Sequence, residues 1–159
     1  MKRSPQLQRI VDRMAPGALC REGFLGADRR PLEEILDADR STVAGLGLTH
    51  EQLGRGLGEV LAAGVAAQGG PARVGERLTA VHREAMGRIP SPWPGEGTFP
   101  KGEVELTDEA AGLTLRFTAL SAHLVARHGF YQGRGSPYRL EPDVLARVLG
   151  MRGNAGLHK

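Results

Sequence analysis

A segment rich in proline and glycine lies in the middle of this chain and restricts its fold more than any other feature. Residues 88–102, RIPSPWPGEGTFPKG, contain four prolines and three glycines. Proline has no backbone N–H to donate and glycine weakens helices and strands, so this stretch disfavours regular elements. We expect an extended, partly polyproline-like loop on the surface. The loop divides the 159 residues into two parts with different patterns.

The part before this loop carries the boundary residues and the apolar spacing of three helices. Ser4-Pro5 places a capping serine before a proline at the first helical position, which predicts a helix start. A second helix is predicted over residues 31–45, with acidic residues in its first turn and glycines at its end. Thr49 and Gln52 have the spacing of a capping box, so a third helix is expected to begin at Thr49.

Residues 72–86, ARVGERLTAVHREAM, fit two different patterns. Apolar residues from Val74 to Ala85 recur at helical spacing, and the content of Ala, Arg, Glu and Met favours a helix. The stretch from Leu78 to Arg83 also alternates in the manner of a strand. We predict a helix here.

The part after the loop begins with a predicted β-hairpin. Residues 102–107 and 113–118 each alternate apolar with polar side chains, and the five residues DEAAG join them. A short helix is predicted over residues 119–128, and a last helix from Glu141-Pro142 to Gly150. The tail, residues 151–159, is predicted to be disordered.

Together these elements predict a single α+β domain over residues 1–150, with a helical N-terminal half and a small antiparallel β-hairpin packed against helices in the C-terminal half. Cys20 is the only cysteine, which excludes an internal disulfide and any zinc site with several cysteines. The chain has no long apolar run and no secretory signal, so we expect no membrane span and a cytoplasmic location. Eighteen arginines against three lysines indicate the coding bias of a GC-rich bacterial genome.

The stretch GFYQGRGSPYRL, residues 129–140, combines several features of a binding loop. It holds three of the seven aromatic residues, three glycines and two arginines. Glycine lets a backbone approach an anion, arginine offers two parallel donors to a phosphate, and tyrosine offers a flat face for stacking. The stretch matches no phosphate-loop or dinucleotide fingerprint. The ligand residues predicted here and in the proline-rich loop are Tyr131, Gly133, Arg134, Gly135, Tyr138, Arg139, Arg88 and Trp93.

Two interpretations of this loop are open at the level of sequence. Residues 114–159 carry seven basic and two acidic residues, which favours a non-catalytic binding module for an anionic partner, either a phosphorylated small molecule or nucleic acid. In the other interpretation the loop is structural: Phe130 and Leu140 enter the core, and the arginines pair with Glu141 or Asp143. The sequence does not indicate an oligomeric state.

The histidines suggest an alternative function. His123 or His128, near the same loop, could act as the acid–base group of a small enzyme. The two lie five residues apart, which separates them by about 140° around a helix. No cysteine or carboxylate cluster is close to them in the sequence. We therefore predict neither a metal site nor a cofactor.

Overall fold

The computed structural model of the chain describes residues 3–152 and shows a mixed α+β fold, as predicted. The helices within this range are α1 (Pro5–Arg13), α2 (Leu32–Gly45), α3 (His50–Ala66), α4 (Ala119–His128) and α5 (Pro142–Val148). The strands are β1 (Pro71–Val74), β2 (Leu78–Arg83), β3 (Arg88–Pro90), β4 (Thr98–Pro100), β5 (Glu103–Asp108) and β6 (Leu113–Thr118).

Four of the strands form an antiparallel sheet in the order β1-β2-β5-β6. The β5–β6 pair is the predicted hairpin, with Glu103 opposite Thr118 and Asp108 opposite Leu113. Val104 and Leu106 of β5 are fully buried, because alternate residues of a strand face the same side of a sheet. This hairpin therefore packs on the core through the face that its alternation predicts.

The prediction of a helix over residues 72–86 is wrong, since this segment forms β1 and β2. Strand β2 pairs with β1 on one side and with β5 on the other, so its backbone N–H and carbonyl groups find hydrogen-bond partners at both edges. Leu78 and Ala80 are buried in the sheet, and Gly75 turns the chain between the two strands with a φ of 64°. Pairing with the distant β5 thus outweighs the local preference for helix.

The proline-rich segment is largely irregular, as expected, but its two ends form a short antiparallel pair. Arg88 lies opposite Pro100 and Pro90 opposite Thr98, in strands β3 and β4 of three residues each. Proline is tolerated in such short edge strands, where its missing N–H interrupts no central ladder. The expectation that residues 88–102 contain no regular element is therefore wrong at these two ends.

The predicted starts of α1 and α3 and the predicted end of α4 are confirmed, whereas α5 ends at Val148 and not at Gly150. The Leu7 N–H donates to the Ser4 side chain at 3.1 Å, and both hydrogen bonds of the capping box join Thr49 and Gln52. Helix α4 ends at Gly129, which adopts a left-handed conformation with a φ of 62°. This cap fixes the last turn of α4, which carries His128.

Helix α4 contacts two clusters of buried apolar side chains. Val125 belongs to the cluster between the sheet, α3 and α5, whereas Leu120 and Leu124 belong to a second cluster with residues of α1 and α2. Trp93 and Phe99, from the segment that runs from β3 to β4, pack against this second cluster. Helix α4 is therefore held from two sides, and a further part of its surface, with His123 and His128, meets the proline-rich segment.

The predicted disordered tail, residues 151–159, lies outside the described part of the chain from residue 153 onward. The Met151 N–H donates to the Ala146 carbonyl at 2.9 Å. The expectation of one domain over residues 1–150 stays a prediction. Within residues 3–152, every helix is too short or too polar to cross a membrane.

Candidate functional site

The loop of residues 129–140 binds closely to the connector between α1 and α2. The Gly133 N–H donates to the Phe24 carbonyl at 2.9 Å, and the Arg134 N–H donates to the Asp28 carboxylate at 3.1 Å. A Cβ atom at Gly133 would lie 2.3 Å from the Leu25 carbonyl oxygen. Glycine is required at position 133 because two segments of backbone touch there. The N–H groups of Gly133 and Arg134 are donated to oxygens of the protein itself.

Gly135 has a related role. It adopts a φ of 91°, and an added Cβ atom would lie 3.0 Å from the backbone nitrogen of Ala27. Arg134 and Gly135 are the exposed tip of the loop. The loop therefore offers solvent one arginine side chain.

The second arginine of the loop, Arg139, lies inside the protein. Its guanidinium donates to both Asp39 carboxylate oxygens at 2.6 and 3.0 Å and to Glu141 at 2.9 Å, and its side chain is 8% exposed. Burial opposes the charged form, but the hydrogen bonds to Asp39 and Glu141 outweigh it and raise the pKa of Arg139. Arg139 stays charged and is engaged by carboxylates of the same chain.

The two tyrosines of the loop also have partners within the protein. Tyr131 is 1% exposed, and its hydroxyl lies 2.8 Å from Nδ1 of His50. Tyr138 is partly buried and donates its hydroxyl proton to Glu103 at 2.7 Å. Burial, together with the hydrogen bond to Glu103, raises the pKa of Tyr138 to about 12.

The residues predicted in the proline-rich segment have different surroundings. The Arg88 guanidinium donates to the Thr98 side chain and carbonyl at 2.9 and 2.8 Å. The Trp93 ring packs edge-on against Phe130, with 5.7 Å between ring centroids. Trp93 thus reaches the start of the 129–140 loop, while Arg134 contacts Asp28. Trp93 therefore contacts Phe130, whereas Arg88 contacts Thr98 and Arg134 contacts Asp28.

A groove of about 610 Å³ opens between the connector, the sheet and the loop. Apolar side chains such as Phe24, Ile89 and Leu120 line its walls, and charged residues of both signs surround it. Of the predicted ligand residues, Tyr138 lines this groove. Gln132 also lines it, buried at 4% exposure and held at a φ of 67°. A groove of this size fits a small organic molecule, but none of the histidines within residues 3–152 lines it.

The histidines of α4 instead meet a carboxylate from the proline-rich segment. His123 Nε2 lies 2.9 Å from Glu96 Oε1, and His128 Nε2 lies 2.8 Å from Oε2 of the same residue. The side chains are 24% exposed for His123 and 16% for both His128 and Glu96. The three residues form a partly buried cluster, which we call the Glu96 cluster.

Several contacts hold Glu96 in this position. The Ser91 hydroxyl donates to Glu96 Oε1 at 2.8 Å, and the Trp93 N–H donates to the same hydroxyl at 3.1 Å. Arg13, at the end of α1, donates to the carbonyls of Ser91 and Pro92 at 2.6 and 2.9 Å. Hydrogen bonds therefore join this segment to α1 through Arg13, and a further hydrogen bond within the segment joins Ser91 to Glu96.

Aromatic contacts fix the two imidazole rings. The rings of Trp93 and His128 are stacked, with 3.9 Å between centroids and 7° between planes. Phe99 packs at a tilt on His123 with 4.6 Å between centroids. The prolines and glycines of the segment thus shape a loop whose aromatic residues face the histidines.

The five-residue spacing predicts that His123 and His128 point in different directions around α4. In the structure both side chains nevertheless reach the same carboxylate. His128 is the last residue of α4, and Glu96 lies across the surface between the two side chains, where one carboxylate contacts both Nε2 atoms. Glu96 is 27 residues from His123 and 32 from His128 in sequence. No local pattern signals such a contact, and sequence reasoning missed Glu96.

The electrostatics of the cluster favour an ionised carboxylate and a neutral imidazole. Burial would raise the pKa of Glu96, but hydrogen bonds from His123, Ser91 and His128 outweigh it and hold this pKa below its usual value. For His128, burial is the larger effect and lowers the pKa despite the nearby Glu96. Both forms are those in which the side chains coordinate metal ions.

The donor atoms of the Glu96 cluster fit a transition-metal ion. They lie within 4.8 Å of one another. Zinc bonds of about 2.0–2.1 Å place tetrahedral ligands roughly 3.3 Å apart, so small movements of the three side chains would admit the ion. Two imidazole nitrogens with one carboxylate oxygen form a donor set used by catalytic zinc sites and by non-haem iron sites.

Comparison of this chain with protein-family models, with curated proteins and with solved structures finds no significant match. A proposal about function therefore depends on the chemistry of these sites.

Proposed function

We propose that this protein binds a divalent first-row transition metal, with Zn²⁺ the expected ion, through Glu96, His123 and His128. One observation carries the proposal: two imidazole Nε2 atoms converge on a single carboxylate, at 2.9 and 2.8 Å. Ordering three side chains in this way costs conformational entropy, so the contact needs support from neighbouring residues. Here the rings and the carboxylate are each held by neighbouring residues.

The surroundings of the cluster support this proposal. Residues that contact metal ligands orient them and tune their affinity. Ser91 takes this role for Glu96, Trp93 for His128 and Phe99 for His123. In the alternative interpretation the two imidazoles are hydrogen-bond donors to Glu96 and the cluster only stabilises the fold. The two interpretations differ in metal affinity, which can be measured.

Three protein ligands would leave at least one coordination position for water or another ligand. Catalytic zinc sites keep such a position open, whereas structural zinc sites take four protein ligands. The ion's charge would lower the pKa of a bound water to about 7 and would polarise an oxygen of a bound molecule. We therefore favour metal-assisted chemistry over a structural role. In this proposal His123 and His128, which the sequence suggests as acid–base groups, are metal ligands.

The anion-binding role of the 129–140 loop stays a prediction. The loop would depend on Arg134, since Arg139 is engaged by Asp39 and Glu141. Tyr131 is buried at 1% exposure, which removes its ring from the predicted stacking surface. These observations favour the Glu96 cluster over the loop as the centre of function.

Calorimetric titration of the metal-free full-length protein with Zn²⁺ tests the proposal. Each protein carries His158→Gln, so that the tail histidine cannot contribute a ligand. We expect one zinc per chain, and Glu96→Gln, His123→Gln and His128→Gln should each weaken binding by at least about tenfold. His82→Gln, a histidine outside the cluster, serves as the matched control and should bind like the parent protein.

Circular dichroism identifies any variant that fails to fold. A parent protein that binds no zinc would contradict the proposal. Equal losses in His82→Gln and His128→Gln would contradict it as well, because they would indicate binding unrelated to the cluster.

A further inference from the structure

An arginine beside the Glu96 cluster suggests what the metal would bind. Arg127 Nε lies 3.8 Å from Glu96 Oε2, and its side chain is 70% exposed. Within the described residues this long ion pair is the one charged contact of Arg127. Its guanidinium therefore keeps most of its donors free at the mouth of the cluster.

The position of Arg127 on α4 places it between the two histidines. At about 100° per residue, Arg127 follows His123 by roughly 40° around the helix and precedes His128 by roughly 100°. Other arginines near the proline-rich segment are engaged: Arg13 by the carbonyls of Ser91 and Pro92, and Arg88 by Thr98. Arg127 thus combines a free guanidinium with a position at the proposed metal.

Resting on the metal site proposed above, we propose that the open coordination position accepts an oxygen of a phosphate group, and that Arg127 binds the other oxygens of the same group. With an ion present, the two charges of the metal and the charge of Arg127 exceed the charge of Glu96 by two. A phosphate monoester carries about −1.5 to −2 at neutral pH and balances this excess, whereas a carboxylate leaves a positive remainder. Arginine also matches phosphate geometry with two parallel N–H donors.

In this proposal the anion binds beside α4 and not at the 129–140 loop. The 129–140 loop offers Arg134 alone, at an exposed tip whose backbone N–H is already donated to Asp28. The Glu96 cluster would offer an ion, an arginine and a partly buried floor that Trp93 and Phe99 form. The two locations can be separated by substituting one arginine in each.

The test titrates Co²⁺-loaded protein with inorganic phosphate and follows the visible absorption of the cobalt. We expect phosphate to change the spectrum, and Arg127→Gln to raise the dissociation constant for phosphate about tenfold. The affinity for Co²⁺ should not fall in this variant, because it removes a positive charge beside the cation. Arg134→Gln is the matched control and should behave like the parent protein. Titration with acetate should require a higher concentration than titration with phosphate.

The outcomes distinguish failure of the metal site from failure of this inference. A protein that binds no cobalt or zinc overturns the metal site and this inference together. Metal binding with no spectral response to phosphate overturns this inference alone. An equal effect of Arg127→Gln and Arg134→Gln, or equal phosphate binding by the metal-free protein, also overturns it, because the anion would then bind elsewhere.

Discussion

At the scale of single residues, two carboxylates of this protein, Asp39 and Glu96, have partners that lie far away in the sequence. Asp39 and Arg139 are 100 residues apart, with side chains 6% and 8% exposed, and two hydrogen bonds join them. Glu96 and His128, each with a side chain 16% exposed, are joined across 32 residues through His128 Nε2. The first pair connects α2 to the 129–140 loop, and the second connects the proline-rich segment to α4. One pair has a structural role, and we propose a metal-binding role for the other.

Replacing Arg139 tests the structural role of the first pair. Arg139→Met leaves Asp39 buried without a partner, so we expect the free energy of unfolding to fall by about 3 kcal/mol. Arg139→Lys should recover only part of this loss, because lysine cannot donate two parallel hydrogen bonds. Urea denaturation measures both. Arg134→Met, at the exposed tip of the loop, should change stability by less than about 0.5 kcal/mol. A stability change in Arg139→Met as small as that of Arg134→Met would contradict the structural assignment.

At the scale of elements, the position of the histidines depends on the close packing of α3 and α4. Gly54 lies where the helices approach, and an added Cβ atom would be 2.5 Å from the Ala126 Cβ and 2.8 Å from its Cα. Gly58, one turn later on α3, has no atom within 4 Å of such a Cβ. Close packing of α3 on α4 therefore requires glycine at position 54, whereas position 58 has room for a side chain.

These two glycines form a matched pair for substitution. Gly54→Ala forces the backbones of α3 and α4 apart, and we expect it to destabilise the protein by about 2 kcal/mol. Gly58→Ala removes backbone entropy from the unfolded chain without a clash and should stabilise it by about 0.5–1 kcal/mol. Thermal unfolding followed by circular dichroism compares them. Equal effects of the two substitutions would show that α3 and α4 do not pack as described.

Elements governed by local chemistry could be predicted from the sequence, and those that depend on distant pairing could not. The caps at Ser4 and Thr49 and the β5–β6 hairpin need only residues a few positions apart. Residues 72–86 were predicted wrongly because β2 is stabilised by β5, some 25 residues further along the chain. The residue type of the histidines identifies them as candidates. Glu96, which contacts both, is held by Ser91 in a segment that Arg13 of α1 binds, and no local pattern predicts these contacts.

At the scale of the whole molecule, one carboxylate links the connector between α1 and α2 to the C-terminal half. Asp28, with a side chain 3% exposed, accepts hydrogen bonds from the Arg30 side chain at 2.9 and 2.6 Å and from the Arg134 N–H at 3.1 Å. The hydrogen bond from Arg30 is the main cause of a strongly lowered pKa of Asp28. The connector also forms one wall of the groove, through Phe24.

This lowered pKa predicts how stability depends on pH. Because the folded-state pKa lies below the unfolded value of about 3.9, the carboxylate stabilises the fold above that pH and loses its effect as the pH falls. We expect Asp28→Asn to lower the free energy of unfolding by about 2 kcal/mol at pH 7. The difference from the wild type should be constant down to about pH 5 and narrow below pH 4. Urea denaturation over a series of pH values measures it, and a difference that is the same at pH 7 and pH 3 would contradict this role.

The central claim is that Glu96, His123 and His128 hold a metal ion, and X-ray absorption at the zinc edge tests it most directly. Protein loaded with one Zn²⁺ per chain should show two imidazole ligands at about 2.0–2.1 Å and an oxygen at a similar distance. In His128→Gln the signal should fall to one imidazole. A spectrum with oxygen ligands alone, or one that His128→Gln leaves unchanged, would contradict the account.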